Sequence, residues 1–495
     1  MVKIHEEGYS HVLKYTGLFG GVQGLNILMG LLRNKVVAVL LGPAGMGLAA
    51  LFNTTVSFIS QATNLGISFS AVRHISELFD GGDEQRIAHF VKVVRAWSLL
   101  TSLLGILVCI MAGPLLNYSV FNWGNHTLHF MLLAPAVGML AITGGETAIL
   151  KGARKLKDLA KIQLFSVFVS LFISVPVYYF YGQTGIVPVI VLMAMLSMLF
   201  TIRFSYRLYP FRLSGAKGIL GEGMEMVRLG VAFVLAGILG SGVEILIRSY
   251  LNVEGDLNDV GLYSAGYLII VSYAGMVFSA METDYFPRLS AKCNDVAEAN
   301  LTVNRQIEVS LLLLSPMLAM LIVGLPILIP LLFTNDFLPI VSMTQVAVFS
   351  MYLKAISLPI SYMTLARGES LSFLLLEAVF DVFVVLAVIW GYHYFGLFGT
   401  GVAMSVAYFV DLLVVYSYTY LRFGYRLSSQ VSQYAAIQLP LGIAVYVVTL
   451  VDNPVIYWLL GSILCFVSMA VSVHILKQKT SLWSAMKEKI SNRMR

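Results

Sequence analysis

Apolar residues along this chain fall into blocks of about 20, the length a helix needs to cross a bilayer core of about 30 Å. Fourteen such blocks are found: 15–41, 47–71, 94–116, 127–150, 160–181, 184–204, 226–251, 260–285, 307–333, 338–365, 370–392, 396–420, 433–451 and 454–476. The pattern predicts an all-α polytopic membrane protein of about fourteen transmembrane helices. Pro316, Pro326 and Pro359 fall inside blocks and read as kinks, which membrane helices tolerate. The run GPAGMG at 42–47 reads as a turn after the first helix. It lacks a following Lys-Ser/Thr, so it is not a phosphate loop.

The polar intervals fix an orientation. Of 32 Lys and Arg, 28 lie in alternate intervals and flanks, starting with the N-terminus and ending with the C-terminal tail. The opposite loops, NYSVFNWGNHT, YGQTG, NVEGDLNDV, TNDF, GYHYFG and VDNP, contain neither. Positive charge stays on the cytoplasmic side, so both termini are expected there and the helix number should be even. No small-residue cleavage site follows the first apolar run, so that span is expected to be retained. The basic tail from Lys477 reads as a solvated or membrane-surface end.

An internal repeat organises the helices. Arg33, Gly47-Leu48 and Arg73 recur as Arg248, Gly261-Leu262 and Arg288. Lys151-Gly152 recurs as Arg367-Gly368, and the motif beginning RFSYRL at Arg203 recurs as RFGYRL at Arg422. The offsets stay between 214 and 219, and six spans fall in each unit. An even number gives both halves one orientation, related by a pseudo-twofold axis along the membrane normal. The expected organisation is an N-lobe over 1–214, a C-lobe over 215–428, and two further helices with a basic tail over 429–495.

Composition agrees with the pattern. The chain is 58% hydrophobic and 12% charged, about half the charge of a soluble domain. Its net charge of +6 does not signal nucleic acid, because the basic residues sit beside membrane spans. Cys109, Cys293 and Cys465 are far apart and form no metal or disulfide pattern. No metal or cofactor is expected.

Candidate chemistry lies where charges enter apolar blocks. A charge at that depth costs about 3 kcal/mol or more. Arg33, Lys35, Arg248 and Lys354 are the four basic residues within spans. Arginine forks onto phosphate and stays charged at any pH, so these residues are candidates to bind an anionic group. Arg33 and Lys35 are about 200° apart around a helix, so one should face a cavity and the other a neighbour. Arg248 has Glu244 one turn back, and an ion pair there competes with cavity lining. Glu377 and Asp381 share one face of the eleventh span, and Asp411 lies in the twelfth. Neighbouring carboxylates in low dielectric take a proton or a cation, which makes them ion-coupling candidates, with pairing to Lys354 or Arg248 as the alternative. Glu146 is expected to pair with Lys151 or Arg154, and Glu282 and Asp284 with Arg288 or interfacial donors.

The runs RNKVVAVLLGPAGMGL, NLGISFSAVR and VGLYSA…PRLS resemble polysaccharide exporters of the MOP superfamily, nearest to the Wzx-type O-antigen flippases. The lipid II flippase MurJ and the MATE drug exporters are more distant members. The resemblance covers the whole chain in topology and is densest in helices 1–2 and 7–8. It implies translocation of an undecaprenyl-diphosphate-linked oligosaccharide, such as an O-antigen unit of lipopolysaccharide, across a bacterial inner membrane. It also implies alternating access of two lobes, coupling to H+ or Na+, and polysaccharide polymerase machinery as a partner. Arg33 matches a cavity arginine of the lipid II flippase, whereas Ile27 stands where that flippase has another. In that flippase the last two helices form a groove for the lipid tail. A MATE-like exporter of cations is the alternative, and the four intramembrane cations weigh against it. A membrane polymerase or ligase would need catalytic groups in a sizeable external loop. The external loops here are about ten residues or fewer and hold no Lys or Arg, so the chain is not expected to be an enzyme.

Overall fold

A computed structural model describes the backbone over residues 2–80, 83–121, 124–211 and 219–479, with side chains from residue 29 onward apart from a few internal positions. Among the described residues every regular element is helical. The α-helices are α1 (Val2–Thr63), α2 (Ile67–Asp80), α3 (Glu84–Val120), α4 (Thr127–Gly152), α5 (Leu156–Tyr181), α6 (Ile186–Leu208), α7 (Ile219–Glu254) and α8 (Leu257–Tyr267). They continue as α9 (Met276–Lys292), α10 (Val296–Leu332), α11 (Ile340–Ala347), α12 (Phe349–Ala366), α13 (Ser370–Phe423), α14 (Ser429–Thr449) and α15 (Pro454–Lys479).

Each of the fourteen predicted spans is helical over most of its length. Nine described helical segments are long and apolar enough to cross a membrane, and the longest are pairs of spans joined end to end. A straight helix the length of α13 would run about 80 Å, far beyond a bilayer core of about 30 Å. Glycine resolves this. Gly396 breaks α13 and Gly42 breaks α1, at φ of 58° and 64°, where a side chain would be strained. Pro43 then opens the second half of α1, the position where its missing N–H costs nothing. The expected turn at GPAGMG is therefore the single residue Gly42, and the rest of the run is helical.

Two further departures come from local geometry. The second predicted span is interrupted at Leu65 and Gly66, both at positive φ, and resumes as α2. Gly66 lies backbone to backbone against Gly230 of α7, so a Cβ there would sit 2.4 Å from the Gly230 Cα. The eighth span is α8 and α9 joined by the π-helical segment Leu268–Ala274. Proline leaves α10 and α12 continuous as helices.

The chain packs as two compact units. One comprises Met1–Gly261 with Leu331–Asp336, the other Leu262–Pro330 with Phe337–Arg495. In the first unit α3 and α4 pack face to face, with α1, α2, α6 and α7 around them. The buried centre holds an ionic network. Arg95 donates to both carboxylate oxygens of Glu146 at 2.8 and 3.2 Å, and the Ser205 hydroxyl donates to Glu146 at 2.5 Å. Tyr206 covers the guanidinium at 4.3 Å. Glu146 thus pairs with Arg95 and not with Lys151 or Arg154, because its side chain turns toward α3. In the second unit α10, α11 and α12 form the enclosed core, while α13, α14 and α15 expose long apolar stripes.

Candidate functional site

The intramembrane charges divide between the two units. Arg33, Lys35 and Arg248 belong to the first; Lys354, Glu377, Asp381 and Asp411 belong to the second.

Arg33 is exposed within an apolar helix, and among the described residues no carboxylate pairs with it. The phenol of Tyr178, on α5, lies within its electrostatic reach. Lys35, two positions on, turns to another side and donates to the main-chain carbonyl of Phe333, at the C-terminal end of α10. Helix C-termini attract cations, so this contact is a structural use of the charge. Arg248 is buried and donates to Glu244 at 2.8 Å, one turn back on α7. The repeat-equivalent arginines therefore have different surroundings, one open and one paired.

The second unit brings its four charges together. Glu377 is within electrostatic reach of Asp411, Asp381 and Lys354, and Asp411 faces Ser357 and Lys354 of α12. Lys354 extends its ammonium between the rings of Phe278 and Tyr408, 5.6 and 5.8 Å from their centroids. Among the described residues no carboxylate closes a salt bridge with Lys354 within 4 Å.

Helix geometry explains where this group faces. On α13 the exposed apolar residues Leu371, Leu375, Val379, Val382, Leu386 and Trp390 form one stripe suited to lipid. Glu377 and Asp381 lie about 150° around the helix from it, on the side of buried Val384 and Val388. Asp411 is likewise on the buried side of the second half of α13, with Ala407 and Val415. On the enclosed helix α12, Lys354, Leu358, Tyr362 and Leu365 are the half-exposed row. Glu377 is therefore exposed on the side of α13 opposite its lipid-suited stripe. Such a group holds one cation against three carboxylates, a composition that exchanges protons or binds a small cation in a low-dielectric setting.

Tyr408 and Ser357 completed this group without being singled out from sequence. Both lie about one turn from a charge already noted, which is the signal that would have found them. Glu282 and Asp284 lie outside the described side chains.

Comparison with known proteins adds the family. The model of a family described as polysaccharide biosynthesis proteins matches residues 36–342, well over half the chain. The chain belongs to that family. Its sequence is 25% identical over 276 residues to the lipid III flippase of Escherichia coli (strain K12) and to that of Shigella flexneri. Those matches cover 53% of this chain and 63% of each relative, so the chain spans less than two thirds of their length. Among solved structures, the lipid II flippase MurJ in an inward closed conformation superposes with a TM-score of 0.67 at 14% identity, over 93% of this chain and 99% of that one. An inward-facing MATE family multidrug resistance transporter of the MOP superfamily gives 0.65 at 16% identity, over 81% and 94%. The fold of this family member is that of the MOP superfamily, and it is a multi-pass membrane protein.

Proposed function

We propose that this protein is a flippase that moves an undecaprenyl-diphosphate-linked oligosaccharide, an O-antigen unit or a similar repeat, from the inner to the outer leaflet of a bacterial inner membrane by alternating access. The observation that carries this reading is Arg33. It is a permanent cation in an apolar helix, exposed, with no carboxylate partner among the described residues. A diphosphate headgroup supplies the missing anion, and a guanidinium binds it with two parallel hydrogen bonds. The family and the lipid III flippase relatives support the same cargo class.

Arg248 and Lys354 are proposed as further headgroup contacts, each released from its present neighbours as the cargo arrives. Lys35 is proposed as a weaker one, since its ammonium already serves Phe333. Glu377, Asp381 and Asp411 are proposed to couple transport to H+ or Na+, with Lys354 as the counter-charge that swaps between them and the cargo. N- and C-termini are proposed to be cytoplasmic, the lobes to follow the repeat at 1–214 and 215–428, and the polymerase machinery of the same polysaccharide to receive the product.

The test is export in cells. Arg33→Ala should abolish surface polysaccharide, and Lys354→Gln should reduce it, while both proteins reach the membrane at normal levels. Wild-type polysaccharide from a well-expressed Arg33→Ala strain overturns the reading. Asp411→Asn with Glu377→Gln should leave cargo binding intact and remove the dependence of transport on an imposed ion gradient. A cation exporter, which would use the same carboxylates, is distinguished by efflux of organic cations from loaded vesicles.

A further inference from the structure

Within the first unit, a cavity of about 470 Å³ opens between the second half of α1, the start of α2 and the inner half of α4. Its size falls inside the roughly 300–1,000 Å³ typical of small-molecule sites. None of the intramembrane charges grouped above lines it. Its walls carry Ser57, Gln61, Thr143 and Thr147, with Phe69 on one side and Lys151 at one end.

The helix that supplies Ser57 and Gln61 uses its hydroxyls in two ways. Thr54, Thr55 and Thr63 return theirs to the carbonyl one turn back, at 2.7, 2.9 and 2.8 Å. That is the usual way a membrane helix satisfies a hydroxyl. Ser57 and Gln61 are one turn apart on the exposed face, and among the described residues their side chains make no hydrogen bond. Thr147 on α4 is likewise without one, while Thr143 reaches back to Met139 at 2.7 Å. Uncharged donors and acceptors without protein partners are costly in a membrane unless they meet water or a ligand. Phe69 is half-exposed at the same cavity and presents an apolar ring beside them.

We infer that this cavity is a sugar subsite, which takes the saccharide next to the diphosphate at an entry stage, when Lys151 meets the phosphate before Arg33 takes it over. The inference rests on the flippase reading above. A pyranose offers hydroxyls that both donate and accept, which suits an amide and hydroxyls, and an apolar C–H face, which suits an aromatic ring. An organic cation would find no carboxylate on these walls. A bare phosphate would use only Lys151.

The test is equilibrium binding to the purified full-length protein of two probes, undecaprenyl diphosphate and undecaprenyl diphosphate bearing one N-acetylhexosamine. The wild type should bind the glycosylated lipid the tighter by about tenfold, the scale of one or two hydrogen bonds to the sugar. Gln61→Leu, and separately Thr147→Val, should remove most of that difference and leave binding of the bare lipid unchanged, which also reports that the variants are folded. Lys151→Gln should weaken both probes together. Equal binding of the two probes by the wild type, or variants that weaken both equally, overturns the sugar subsite while the flippase reading stands. A wild type that binds neither probe overturns both.

Discussion

At the scale of single residues, the chain separates charges that hold the fold from charges left open. Arg95 and Glu146 are both nearly inaccessible and satisfy each other with two hydrogen bonds, helped by Ser205. Removing one partner of such a buried pair costs about 3–5 kcal/mol, because the other charge stays behind. Arg95→Ala should therefore lower the thermal midpoint in detergent sharply, and Arg95→Ala with Glu146→Leu should recover much of it. A single variant as stable as wild type would contradict this. Glu369 behaves differently, since it lies at the surface. Arg422 donates to it at 2.9 Å and holds its carboxyl below the usual carboxylate range, with Tyr418 and Ser372 adding hydrogen bonds. A lowered carboxyl contributes stability above its ordinary pKa of about 4.3 and loses it as pH falls through the lowered value. The stability gap between wild type and Glu369→Gln should thus be full at neutral pH and shrink below about pH 4. Thermal melts across pH check this, and a constant gap contradicts it. The sequence showed which charges lie in the membrane, because hydropathy marks them directly. It did not show partners on other helices. Glu146 was matched to its neighbours Lys151 and Arg154, while its partner Arg95 stands at the first turn of the preceding span.

At the scale of elements, glycines decide where helices end. The turns at Gly182 and Gly396 both have positive φ and lie 214 positions apart, each followed three residues later by Gly185 or Gly399. This is a sixth match of the internal repeat, readable in the sequence as G-x-x-G at an offset of 214. The break at Gly66 was hidden because its flanks are apolar, although Asn-Leu-Gly is a turn signal. Gly66→Ala places a side chain in the left-handed region, at about 1–2 kcal/mol, and against the Gly230 backbone, which cannot yield without moving α7. The variant should lose thermal stability beyond that backbone cost, and Gly230→Ala, at a helical φ without that cost, should lose stability through the close contact alone. A Gly66→Ala protein with the wild-type midpoint would show that α2 and α7 do not pack this way. Spans were legible as blocks because bilayer thickness sets their length. The π-helical segment of the eighth span was not, since it changes hydrogen bonding without changing hydropathy.

At the scale of the whole molecule, the polytopic all-helical fold was legible from the apolar blocks, and the charge bias and the repeat add the proposed orientation and lobe division. The site was legible only as a set of candidates. Grouping them required knowing which face of α13 meets lipid, and that depends on packing. The charge bias also makes a prediction about sidedness. Single cysteines at Asn258 or Asp452, in a background without the three native cysteines, should react with a membrane-impermeant maleimide from outside intact cells. One at Arg367 should react only after the inner face is opened. The opposite pattern would invert the proposed orientation and place the basic loops outside.

The central claim is that the cargo is a lipid-linked diphosphate sugar held by Arg33. The most direct measurement is translocation in proteoliposomes of a fluorescent short-chain polyprenyl diphosphate oligosaccharide, loaded in one leaflet and quenched from the other. Wild-type protein should move the probe under an imposed ion gradient. Arg33→Ala, at the same density, should be slower by about tenfold or more, the loss expected for a charge-assisted contact worth roughly 1.5–3 kcal/mol. Wild-type vesicles that leave this lipid in place while expelling organic cations would contradict the account.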